Sequence, residues 1–109
     1  MRISIIVSDP WDLGEATNWQ PLRGSLLQMK SEEMALIKLD NAISYGNSIW
    51  HFVIASPRRR GDEVGALQAG KKVAATFIGI SDQQAGSEAV FDTHGWRGGL
   101  AFMGDIEPA

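Results

Sequence analysis

Three features of the chain predict a mainly β fold: a strongly bent sheet or small barrel of about six strands, with one or two short helices. The first is the stretch 48–60, SIWHFVIASPRRR, in which Trp50, Phe52 and Ile54 alternate with Ile49, His51, Val53 and Ala55. A run apolar on both faces, rich in β-branched and aromatic side chains and stopped by Pro57, reads as a buried central strand. The second is a series of short apolar runs separated by Gly, Pro, Asn and Asp. The third is the placing of Gly24, Gly79 and Gly104 inside such runs. Bends and bulges put glycine there.

The elements follow in order. Residues 2–8 set Ile3, Ile5 and Val7 on one face and Ser4, Ile6 and Ser8 on the other, a first strand that is mostly buried. Asp9-Pro10 ends it, because Pro fixes φ for a turn and Asp bonds back to the backbone. The segment to Pro21 has no period. It is an acidic, aromatic loop holding Trp11, Asp12, Glu15 and Trp19, with room for one helical turn over 13–17. Residues 22–30 form a second strand, with Leu26 on one face and Leu27 and Met29 on the other. Residues 34–39 alternate as a third strand. A short helix over 31–40 competes, since Glu, Met, Ala and Leu favour helix. The strand is preferred because the run is short and Asp40-Asn41 follow as turn residues. Gly46 and Asn47 tolerate positive φ and make the reversal into the central strand.

After Pro57 comes the loop Arg58-Arg59-Arg60-Gly61. Asp62 is placed to cap a short helix, with Val64 and Leu67 on its apolar side and Gly70 at its end. Residues 71–80 form the next strand. Ser81-Asp82-Gln83-Gln84 matches the capping box, and Gly86 keeps the helix it starts short. Residues 92–99 are a polar, Gly-rich loop with His94, Trp96 and Arg97. A last strand covers 100–106, and Glu107-Pro108-Ala109 is a tail.

The length of 109 residues fits one domain spanning 1–109, large enough to bury a core without staples. With no cysteine there are no disulfides or thiolate metal sites. The net charge of −3 gives no general attraction to nucleic acid. No apolar run is long enough for a transmembrane helix, and MRISIIVSDPW reads as a strand and not a signal peptide. The expected location is the cytoplasm.

The motifs that carry chemistry are few. Gly65 to Lys71 matches the first seven positions of a P-loop, but Lys72 stands where Ser or Thr should hold magnesium. A P-loop also runs from strand to helix, and this segment runs from helix to strand. Asp92 and His94 are the best acid/base pair, since a carboxylate beside an imidazole orients a general base. No Ser or Cys lies in a nucleophile elbow. His51, between Trp50 and Phe52, is read as a hydrogen-bonded structural histidine. Two histidines and no cysteine argue against zinc, leaving only an oxygen-ligand set from Asp9, Asp12 and Glu15 open. No cofactor is expected.

Arg58, Arg59 and Arg60 with Lys71 and Lys72 are the one basic concentration, and phosphate contact is the chemistry they suit. Asp62 and Glu63 beside them cancel part of the field. Trp50 is read as core. Trp11, Trp19 and Trp96 fall in loops, where large aromatics plug a barrel end or form a binding surface, and Trp and Arg dominate interface hot spots.

The run from Gly24 through ALIKLD to IWHFVIASP resembles SH3-like barrels, including KOW-type barrels of translation and transcription proteins. The resemblance covers about a third of the chain and rests on strand spacing. It implies a nucleic-acid-binding alternative using Arg58 to Arg60. The leading expectation is a non-enzymatic protein-binding module whose surface draws on Trp11, Trp19, Arg58, Arg59, Arg60, Trp96 and Arg97. In size and charge the chain is similar to small acidic bacterial immunity proteins that neutralise a toxin domain. A small enzyme around Asp92 and His94 is the third expectation.

Overall fold

The computed structural model describes residues 1–8, 21–31, 33–59, 62–93 and 99–109. Six antiparallel strands form a closed barrel in sequence order: β1 (Arg2–Val7), β2 (Leu22–Lys30), β3 (Met34–Tyr45), β4 (Ser48–Pro57), β5 (Val73–Ile80) and β6 (Ala101–Pro108). Each strand pairs with the next, and β6 returns to β1 through Ile3–Pro108, Ser4–Glu107 and Ile5–Ile106. Asp105 and Gly104 pair with Ile6 and Val7 as well, so the residues expected to form a tail after 106 instead extend the seam that closes the barrel. Pro108 is tolerated because it ends its strand, where the missing N–H costs least.

The interior follows from period-2 alternation. Ile3, Ile5 and Val7, then Ala35, Ile37 and Leu39, then Val53 and Ala55, point into one core. Phe77 and Phe102 lie opposite each other on β5 and β6 and stack with ring centroids 4.9 Å apart. Side chains fill the barrel, as they do in barrels of few strands. Alternate residues of the β3–β4–β5 wall are apolar too. Leu36, Ile54 and Ile80 face outward, where Val90, Phe91 and Ala85 cover them. That second layer explains why β4 reads as apolar on both faces.

Three irregularities were not legible in the spacing. Leu27 is an extra residue where Leu26 pairs with Ile37 and Gln28 with Leu36. This bulge shifts parity, so Leu26 and Met29, expected on opposite faces, both pack on the interior core. Asp40-Asn41 does not turn the chain. Residues 39–42 of β3 face only His51 of β4, between the pairs Lys38–Phe52 and Ile43–Trp50, and the strand runs on to Tyr45. The reversal comes at Gly46-Asn47, with φ of 60° and 65°, as expected of a two-residue hairpin with positive φ at both central positions. Finally, the second half of β4 is buried as expected, but Ile49 is not, and Trp50 is only half-buried.

Antiparallel order sorts the connections between two ends. One end carries the β3–β4 turn, Ser8, Pro21, Ser81 and Leu100. The other carries both termini, Ser31, Arg58 and a 3-10 helix, Val64–Ala69. Val64 and Leu67 of that helix are fully buried and close its end of the barrel. Gly70 ends the helix with φ 80°, as expected, but the N-cap is Glu63 and not Asp62, and no side chain caps it. At the opposite end the Trp50 ring lies over Gly79 and Leu100. A Cβ on Gly79 would come within 2.8 Å of Trp50 Cε3 and 2.9 Å of Leu100 Cβ. No helix among the described residues is long and apolar enough to cross a membrane.

Candidate binding surfaces

The expected binding set divides. Trp11, Trp19, Arg60, Trp96 and Arg97 lie outside the described residues, as do Asp9, Asp12, Glu15 and His94. Arg58 and Arg59 are described, and both are exposed on the rim beside the 3-10 helix. The backbone N–H of Arg58 donates to Ala74 O at 2.9 Å, which holds the start of the basic loop against β5. Lys71 and Lys72 lead into β5 at the same rim and are exposed. The register therefore brings Arg58, Arg59, Lys71 and Lys72 together. None of the four forms an ion pair with a carboxylate among the described residues. Arg58 Nη1 instead donates to the thioether of Met103 at 3.5 Å. The Gly65–Lys71 segment is the 3-10 helix and its αL end, running into a strand, so its order is the reverse of a P-loop.

The opposite end carries what sequence reasoning missed. The β2–β3 ladder stops at Gly24–Leu39, and the β4–β5 ladder starts at Phe52–Ile80. Among the described residues, Ile43 to Tyr45 and Ser48 to Trp50 therefore pair only with each other. Ile43 is still buried in the core, and the tip of the hairpin beyond it extends past the paired wall. Ile49 on it is 65% exposed and Tyr45 39% exposed. Trp50 Nε1 donates to Tyr45 O at 3.2 Å, so the indole braces the projecting strands from below. The signal was present in Gly46-Asn47, but its distance from the barrel depended on the bulge at 39–42.

An imidazole–carboxylate contact does occur, at a place not anticipated. His51 Nδ1 lies 3.2 Å from Asp82 Oδ1, both side chains being substantially exposed. The pairing Phe52–Ile80 sets residue 51 beside the start of α1 (Asp82–Ala85). His51 is thus hydrogen-bonded, as expected, and it ties β4 to the segment covering the outer wall. Asp92 is exposed on that segment. No group of three or more His, Asp or Glu among the described residues could hold a metal.

Residues 81–93 also bound a cleft of about 460 Å³, floored by Ile78, Gly79 and Ile80. The N-cap is as expected: Ser81 Oγ accepts from Gln84 N–H at 3.1 Å. Gln84 does not return the bond. Its Nε2 donates to Ala89 O at 3.0 Å and Asp92 O at 2.8 Å, pulling the following turn inward. Comparison with protein-family models, with curated proteins and with solved structures finds no match to this chain, so its functional reading rests on the closed barrel and these surfaces.

Proposed function

We propose that the chain is a non-enzymatic protein-binding module whose projecting β3–β4 hairpin meets the partner. The observation behind this reading is Ile49, 65% exposed on a hairpin whose tip pairs only with itself among the described residues. Water contact with a large aliphatic side chain is unfavourable by roughly 1.5–3 kcal/mol relative to burial. A partner that covers Ile49 recovers that energy; Tyr45, 39% exposed, lies on the other face of the hairpin. The filled barrel supports the reading as well, since it offers a rigid mount. A narrower form is a toxin-neutralising immunity protein, supported by small size and a net charge of −3 and by analogy at that level alone.

The test is crosslinked capture from the native source with wild-type protein and Ile49→Asp. The wild type is expected to retain a discrete protein that Ile49→Asp loses while melting at the same temperature. Recovery of no protein partner, together with a clean RNA crosslink, would overturn the reading in favour of a second one. That alternative is nucleic-acid binding by the rim of Arg58, Arg59, Lys71 and Lys72, favoured by the lack of carboxylate partners for these four cations among the described residues. It requires affinity that falls steeply with salt and is abolished when Arg58, Arg59 and Arg60 are all changed to Glu.

A further inference from the structure

The cleft between the end of β5 and residues 81–93 has a chemistry of its own, separate from the hairpin. Its floor is Ile78, Gly79 and Ile80, and its walls include Ser81, Gln83, Gln84 and Thr93. Its volume of about 460 Å³ falls within the range of small-ligand sites. An apolar floor with a few convergent polar groups is the usual form of such a site.

The hydrogen bonds already made decide what remains for a ligand. Ser81 Oγ accepts from Gln84 N–H, which leaves its own proton to donate. Both protons of the Gln84 amide go to Ala89 O and Asp92 O, which leaves Oε1 as an acceptor. Ser87 Oγ donates to Gln84 O and accepts from Ala89 N–H, so it is spent within the turn. Among the described residues the side chains of Gln83 and Thr93 make no hydrogen bond, so an amide and a hydroxyl are open to a ligand. The unspent groups are neutral and of both polarities. No Lys or Arg lines the cleft among the described residues. Among the described lining residues Asp92 is the one carboxylate, and it is already engaged within the protein.

We infer that this cleft binds a small uncharged molecule carrying hydroxyl and amide groups, of the size and chemistry of a neutral sugar. Gln83 and Thr93 bond its polar edge, Ser81 and Gln84 Oε1 take a donor and an acceptor position, and the partly exposed Ile78 meets its C–H face. An amide and a hydroxyl are matched better by a hydroxylated ligand than by an apolar one, which would leave them unpaired on desolvation.

The test is chemical-shift titration of ¹⁵N-labelled protein with glucose, galactose and N-acetylglucosamine, with methylamine and inorganic phosphate as charged probes. Saturable shifts confined to 78–93, from at least one neutral sugar with a dissociation constant on the order of 1 mM or tighter, are the expected result. Gln83→Ala and Thr93→Val should each weaken that binding by about tenfold, the loss expected when one hydrogen bond is removed, with unchanged melting temperature. Binding that is unchanged in both variants would overturn the inference. So would a preference for methylamine or phosphate, or the absence of any sugar-dependent shift. Ile49→Asp serves as a control: it leaves the cleft intact, so sugar binding should survive it whether or not the hairpin has a partner.

Discussion

Single glycines set how closely neighbouring strands of the barrel approach. A Cβ on Gly24 would sit 2.4 Å from the carbonyl oxygen of Lys38, and one on Gly104 would sit 2.5 Å from that of Ile6. Both obstacles are backbone, which cannot swing aside as a side chain can. Gly86 stands in contrast, with nothing nearer than 3.8 Å and a φ of −94° that any residue adopts. Gly24→Ala is therefore expected to destabilise by about 1–3 kcal/mol through overpacking. Gly86→Ala should instead stabilise by about 0.4–1 kcal/mol, because it restricts the unfolded chain without straining the folded one. Urea unfolding of the two variants checks both signs, and equal effects would mean that close approach at Gly24 is not limiting. The glycines inside apolar runs were visible in the sequence as points of bending. That Gly24 and Gly104 face a carbonyl of the next strand was not, because it depends on register across pairs far apart in the chain.

Individual strands show where local pattern suffices and where it fails. The bounds of β2 and the reversal at Gly46-Asn47 were legible because alternation and positive-φ residues act locally. The course of β3 through Asp40-Asn41 was not, because turn-forming residues also suit a bulge, and only the neighbouring strands decide between them. Asp40 has a role there. Arg2 of β1 reaches across β2, donating to Ser25 Oγ at 3.0 Å and to Asp40 Oδ1 at 2.8 Å of β3, with Nη2 on the second carboxylate oxygen. This hydrogen bond, helped by the charges of Arg2 and Arg23 and opposed by desolvation, holds the Asp40 carboxyl below its ordinary value of about 3.8. A folded value below the unfolded one means that the unfolded chain takes up the proton first. The stabilisation is thus complete above the ordinary carboxylate range and lost as pH falls through the folded value. Wild type should be more stable than Asp40→Asn at neutral pH, and the gap should close as pH falls below about 4. Both side chains are exposed, so the gap should also shrink in high salt. Thermal melts from neutral pH to about pH 2.5, bracketing the ordinary Asp value, would show it. A gap that widens on acidification would contradict the clasp. The candidate surfaces were less legible for a related reason. The basic rim combines residues on either side of the 3-10 helix, and His51 meets Asp82 only through the β4–β5 pairing.

Closure distinguishes this molecule from an open sheet of the same strands. Five β6–β1 pairs, three of them at Ile106 to Pro108, with a further bond from Ala109 N–H to Arg2 O at 3.1 Å, complete the circuit. They cover the backbone of β1, which would otherwise be a free edge. Ile106, fully buried and paired with both Ile5 and Val73, lies at the join. Removing a buried isoleucine side chain alone costs about 2–5 kcal/mol, against a total stability of roughly 5–15 kcal/mol for a domain. A chain ending at Asp105 loses that side chain and the last pairs together. It should fail to unfold cooperatively in urea and should associate with rising concentration on size exclusion, as unpaired β1 backbone finds partners on other copies. A chain lacking only Ala109 gives up one hydrogen bond and should remain close to wild type. If the chain ending at Asp105 stays monomeric with an unchanged unfolding midpoint, the seam does not hold the barrel together. In that event the mount of the hairpin does not depend on the seam, and neither does the cleft beside β5, since none of the described residues lining it comes from β1 or β6.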